Sequence, residues 1–175
     1  LNNFGAINFK YFFYTAAFFV VFTSVDVIFQ YIFGYDIFGI ESNIYNRRSG
    51  FFGDEIIAGA FIERFSFFAI FLPLCLPFKK KWQSFLAISF IIYILDLGIL
   101  LSGNRMQMIL FVIGLGLTFL IFGKLRAMIV FSFSIFLLTL IPLFSIDKPL
   151  KNNYVSFYLV SKTIISDSLS NISKF

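Results

Sequence analysis

The chain predicts an all-α fold, a polytopic bundle of transmembrane helices, and three observations carry that expectation. Of its 175 residues, 59% are hydrophobic and 13% charged, with a mean hydropathy of +0.92. A soluble domain carries about a quarter charged residues, so this chain has too little charge to coat a water-facing surface. The apolar residues also gather in five runs close to the roughly 20 residues that a helix needs to cross a bilayer. Finally, the runs are continuous, without the period-two alternation of a membrane β-barrel. The same numbers exclude intrinsic disorder, which requires low hydrophobicity. A single cysteine, Cys75, excludes a disulfide scaffold, and the absence of histidine excludes a zinc or haem site built on that residue. Cys75 lies in an apolar run and reads as a small buried hydrophobe.

The first run covers about 11–33 and carries Asp26 and Gln30 near its far end, one turn apart on one face. The second covers about 56–78 and contains Glu63 and Arg64, with Pro73 and Pro77 near its end, where a lost helical hydrogen bond does least harm. The third covers about 82–101 with Asp96 inside it, and Asp96 is expected to pair across the bundle. The fourth covers about 106–122, and its Gly114 and Gly116 do not have the Gly-x-x-x-Gly spacing of a helix dimer. The fifth covers about 125–146, with Pro142 near its end.

The connections set the topology. Net charge is +5, and the basic residues lie between apolar runs, which points to membrane orientation and not to nucleic acid. Lys10, then Lys79, Lys80 and Lys81, then Lys124 and Arg126 fall on one side if the spans alternate, and that side is cytoplasmic by the positive-inside rule. The outer side then holds the loop at about 34–55, the turn at 102–105 and a tail from about 147. Residues 1–175 read as a single transmembrane domain, and as a fragment of a longer protein, since the chain opens on Leu1 and ends on Phe175 in a polar stretch. Arg47, Arg48 and Arg105 sit on the outer side, against the charge bias; Arg48 reads equally as a solvated loop charge.

Several polar residues on that side are candidates for chemistry. Glu55, Gly59 and Glu63 share one helix face with a small residue at its centre, which allows close helix approach. Asp54 precedes the apolar run and is placed to cap the second helix. Arg47, Arg64 and Arg105 are expected to converge on one outward-facing cavity, because antiparallel neighbours put all three in the outer half of the bundle. No Walker A, Rossmann glycine pattern or Asp-x-Asp motif occurs, so nucleotide-dependent chemistry has no support.

Two segments carry a family resemblance. One is RRSGFFGDEIIAGAF, beginning at Arg47 and followed by Arg64; the other is Leu101, Ser102, Gly103, Asn104 and Arg105. Together they resemble the O-antigen ligase and O-antigen polymerase family of bacterial membrane glycosyltransferases. That family has an Arg-x-Ser-Gly-x-Phe-Gly-like loop opening a helix and a Ser-Gly-x-Arg turn two spans later. Tyr31, Gly34, Asp36 and Gly39 fit its lead-in, and the resemblance covers about residues 29–122.

The resemblance implies about a dozen transmembrane helices in the bacterial cytoplasmic (inner) membrane. It implies transfer of a glycan from an undecaprenyl-pyrophosphate carrier on the outer face, in lipopolysaccharide biosynthesis. The substrate partners would be a lipid-linked oligosaccharide and membrane lipid, with no metal, nucleotide or other cofactor. The motif arginines that engage pyrophosphate match Arg47 and Arg105. Arginine suits that task, since its planar fork binds phosphate oxygens in pairs and keeps its charge. The N-terminus of the second span, near residues 53–56, would add amide donors. The acceptor hydroxyl needs a base, and Asp36, Asp54 and Glu55 all lie on the correct side. Ligase members carry a histidine in a large outer loop and this chain has none, which leaves ligase versus polymerase open. The alternative reading is a transporter or permease whose pathway is lined by Asp26, Glu63, Arg64 and Asp96, although neither internal repeats nor broken helices are visible.

Overall fold

The computed structural model describes residues 2–41, 47–75, 81–146, 152, 154–156 and 158–165. The expectations for Lys79 and Lys80, for Pro77, for loop positions 42–46 and for the start of the tail at Asp147 lie outside these residues. Among the described residues the chain forms helices α1 (Asn2–Phe33), α2 (Ala58–Cys75), α3 (Lys81–Leu101), α4 (Arg105–Ile121) and α5 (Arg126–Ile146), with a 3₁₀ turn at Gly50–Phe52. Among the described residues there is no β-strand, only an isolated bridge between Tyr35 and Glu41.

Three stretches are long and apolar enough to cross a membrane: Tyr11–Phe33, Lys81–Leu101 and Arg126–Ser145. This is the make-up of a membrane protein. Helices α2 and α4 are shorter, at 18 and 17 residues. Several hydroxyls within the helices are satisfied by the preceding turn of their own helix. Ser24 donates to the Val20 carbonyl (2.8 Å), Thr118 to Gly114 (2.8 Å) and Ser134 to Val130 (2.7 Å).

Helix α3 is the centre of the bundle and packs against α1, α2, α4 and α5. Its Ile88, Ile92, Leu95 and Ile99 are fully buried and recur at helical spacing, forming the spine of the core with Val20, Ile62, Ile70 and Phe111. The α1–α3 crossing is close because residue 98 is glycine: a Cβ there would lie 2.8 Å from the Ser24 Cβ. By contrast α4 and α5 present Leu110, Ile113, Leu120, Leu138 and Ile141 outward. Such faces would be a liability in water and suit a lipid surround.

The turn between α4 and α5 is held by Arg126, which donates to the carbonyls of Phe119 (2.9 Å) and Leu120 (3.1 Å) and lies over the Phe119 ring. A helix C-terminus leaves carbonyls without partners, and a cation there satisfies them and complements the helix dipole. Arg126 thus has a structural task beyond setting orientation.

Candidate functional site

The α1–α2 loop is fastened by the polar face of α1. The buried Asp26 accepts a hydrogen bond from the Ile37 amide (2.9 Å) through Oδ1. Gln30, four residues on, accepts from the Gly50 amide (3.0 Å) and donates to the Ile40 carbonyl in a long contact (3.4 Å). Asp26 and Gln30 therefore point to the loop backbone, not to a pathway through the bundle. Residue 50 must be glycine on two counts. Its φ is +56°, and a Cβ there would sit 2.8 Å from Asp26 Oδ2. Asp36 is fully buried; its Oδ1 accepts from the amides of Phe38 (3.0 Å) and Ile40 (2.6 Å) and folds the 36–40 turn on itself.

The α3–α4 turn then closes on this loop. Gly103 takes φ +74° and ends α3, while Ser102 donates from its hydroxyl to the Ile99 carbonyl (2.7 Å). The Arg48 amide reaches the Ser102 carbonyl (3.4 Å), and Asn104 donates to the Ile56 carbonyl (3.4 Å). Gly59 permits the approach: a Cβ there would collide with Ser102 Oγ and lie 2.7 Å from the Asn104 side chain. The two segments singled out in the sequence thus meet at one end of the bundle.

Where they meet, Arg47 and Arg105 line one polar cavity of about 310 Å³, together with Gly103, Asn104, Met106 and Gln107. Arg105 is the first residue of α4, and Asn104 at the N-cap makes no side-chain capping bond. The positive end of the α4 dipole therefore adds to two guanidinium charges. Arg64 is not among the lining residues; it lies exposed on α2. Glu63 is half-buried beside it in sequence. Arg48 is half-buried with its guanidinium 5.7 Å from the centre of the Tyr31 ring, a cation–π contact that the reading as a solvated loop charge does not describe.

Two expectations about the start of α2 need correction. The helix begins at Ala58, so Asp54 lies four residues upstream and is not its cap. Of the amides expected to be open near residues 53–56, those of Gly53 and Glu55 are already engaged. Gly53 donates to Gly50 (3.4 Å), Glu55 to Phe52 (3.2 Å) and Ile57 to Glu55 (2.9 Å), because the chain spends this stretch in consecutive tight turns. The helix N-terminus that faces the cavity is that of α4. Asp54 and Glu55 are both exposed.

Tyr154 is a neighbour of the site that sequence reasoning missed. Its hydroxyl donates to the Leu100 carbonyl (2.9 Å), and its ring lies 6.3 Å from that of Phe144. Burial pushes the Tyr154 hydroxyl well above its usual pKa, with the Arg105 charge opposing that rise, which places the two residues near each other. No local pattern signals a contact spanning 54 residues of chain. Asp96, expected to pair across the bundle, is fully buried, and neither of its oxygens has a hydrogen-bond partner among the described residues. Its neighbours one turn away on α3, Ile92 and Ile99, are fully buried apolar residues. No family model matches the chain, and neither does any curated protein or solved structure.

Proposed function

We propose that this chain is a membrane glycosyltransferase of the O-antigen ligase or polymerase type. It would act on the outer face of a bacterial cytoplasmic membrane, with all five helices crossing the bilayer. One observation carries the reading: two arginines from distant segments share a single polar cavity at the end of the bundle assigned to the outer side. In that reaction the bond between the glycan anomeric carbon and the carrier pyrophosphate breaks, and its electron pair leaves with the pyrophosphate. Arg47 and Arg105 receive the growing negative charge through paired N–H donors, and the α4 N-terminus adds to the field. The acceptor hydroxyl attacks the anomeric carbon and passes its proton to a carboxylate. Of the three candidate bases Asp54 and Glu55 are accessible, whereas Asp36 is enclosed and has one oxygen committed to two amides. Arg64, away from the cavity lining, has no part in this scheme.

The test is glycan transfer in cells carrying variants at position 105. Arg105→Ala and Arg105→Lys are both expected to cut transfer by at least about a hundredfold, the scale on which single oxyanion-stabilising donors act, with protein level unchanged. Normal polysaccharide from Arg105→Ala cells would overturn the assignment. A second reading, a transporter, is favoured by one observation, the buried Asp96 within an apolar helix, without a hydrogen-bond partner among the described residues. Under that reading Asp96→Asn abolishes function while Arg105→Ala spares it.

A further inference from the structure

Between residues 32 and 40 the chain reverses the usual make-up of a loop. Ile32, Phe33, Tyr35, Ile37, Phe38 and Ile40 are all exposed, Phe38 by 67%, while the one charged residue in the stretch, Asp36, is fully buried. Apolar side chains outside and a carboxyl inside are the opposite of what water selects. The backbone is arranged in the same sense. The amides of Gly34 and Gly39 donate to the carbonyls of Gln30 (2.9 Å) and Asp36 (3.0 Å), and that of Asp36 donates to the Ile40 carbonyl (3.0 Å). The amides of Ile37, Phe38 and Ile40 are spent on the side chains of Asp26 and Asp36. A loop in water has no need to close its amides internally. A non-helical segment against lipid does, because no water is there to receive them.

Two further observations identify what covers this knuckle. It does not project beyond α1 but folds back beside it. The Ile37 amide meets Asp26 (2.9 Å), about two turns before Phe33, or roughly 10 Å down the helix at 1.5 Å per residue. The Ile40 carbonyl lies near Gln30 in the same way (3.4 Å). Residues 37–40 are therefore level with the last turns of Tyr11–Phe33, a stretch long and apolar enough to cross a membrane. The root of the knuckle is an aromatic cluster, in which the Phe29 ring centre lies 4.3 Å from that of Phe33 and 5.8 Å from that of Tyr35. Amphipathic rings such as that of Tyr gather where hydrocarbon meets headgroups. We propose that the 32–40 knuckle is an interfacial anchor, lying at the boundary between headgroups and acyl chains with Ile37 and Phe38 in the lipid. Its surface continues that of α1, and it offers no exposed charge to a polar partner. It shares no lining residue with the Arg47 and Arg105 cavity, so the anchor stands or falls apart from the function proposed above.

The experiment places a tryptophan in the knuckle. Trp82, the only native tryptophan, is first replaced by Phe. In that background and in phosphatidylcholine nanodiscs, Phe38→Trp is expected to be quenched by phosphatidylcholine brominated near the headgroup end of its acyl chains and to be shielded from aqueous iodide. Asp54→Trp, at an exposed acidic position further along the same loop, should show the opposite pattern. Bromolipid quenching several-fold stronger at residue 38 than at residue 54 supports the anchor, and equal quenching at the two positions overturns it. Quenching of residue 38 by iodide alone would mean that the knuckle stands in water. Quenching by neither reagent would mean that protein covers it, such as a second copy of the chain. Either result overturns the proposal. Ile37→Trp carries the same expectations if Phe38→Trp fails to fold.

Discussion

Asp26 and Asp96 are both fully buried carboxyls in apolar helices, and they have opposite surroundings. Asp26 lies toward the C-terminal end of α1, receives the Ile37 amide and abuts Gly50, so it shapes the loop that carries Arg47. Asp96 lies deeper, in the central helix, with neither oxygen bonded among the described residues. Depth in the bundle is less decisive than what the neighbouring backbone offers. At the outer end, turns expose amides that a carboxylate can use; within the bundle every amide is already spent on its own helix. Polar side chains therefore organise the loop end of the bundle, and apolar packing organises the rest.

The largest expected effect comes from forcing the outer contacts apart. Gly59→Leu drives a side chain into Ser102 and Asn104 and is expected to cost at least about 1–3 kcal/mol in thermal unfolding and to abolish transfer. Gly116→Ala, at the open glycine of α4, should by comparison be neutral or stabilising by up to about 1 kcal/mol through helix propensity. If the two glycines behave alike, the close approach at residue 59 is not what joins the two segments.

Next in size is the loop anchor. Asp26→Leu leaves the Ile37 amide without its acceptor and is expected to cost about 1–3 kcal/mol, with faster proteolysis of the outer loop. The smallest effect, and of opposite sign, belongs to Asp96. Replacing an unbonded buried carboxyl by Leu of similar size should be neutral or stabilising on unfolding in detergent. A loss as large as that of Asp26→Leu would mean that Asp96 has a partner and would erase the contrast.

How far the sequence alone carries differs between these two regions in the same way. The apolar runs at 82–101 and 125–146 became α3 and α5 to within a residue, since continuous hydrophobicity of that length has few other uses. The start of α2 was misplaced because residues 53–57, acidic and then apolar, resemble a capped helix start but fold as turns following Gly50. Arg47 and Arg105 were legible through their motifs. Their separation from Arg64 was not, because it depends on which face α2 turns to the bundle, and apolar residues all around that helix hide the face. Tyr154 depended wholly on tertiary contact.

The central claim is that Arg47 and Arg105 hold one anion between them, and a double-mutant cycle on glycan transfer tests it most directly. Arg47→Ala and Arg105→Ala should each remove most activity, and the double variant should be little worse than the weaker single, since two groups holding one leaving group act as a unit. Effects that multiply independently, or a single variant with normal transfer, would contradict a shared site.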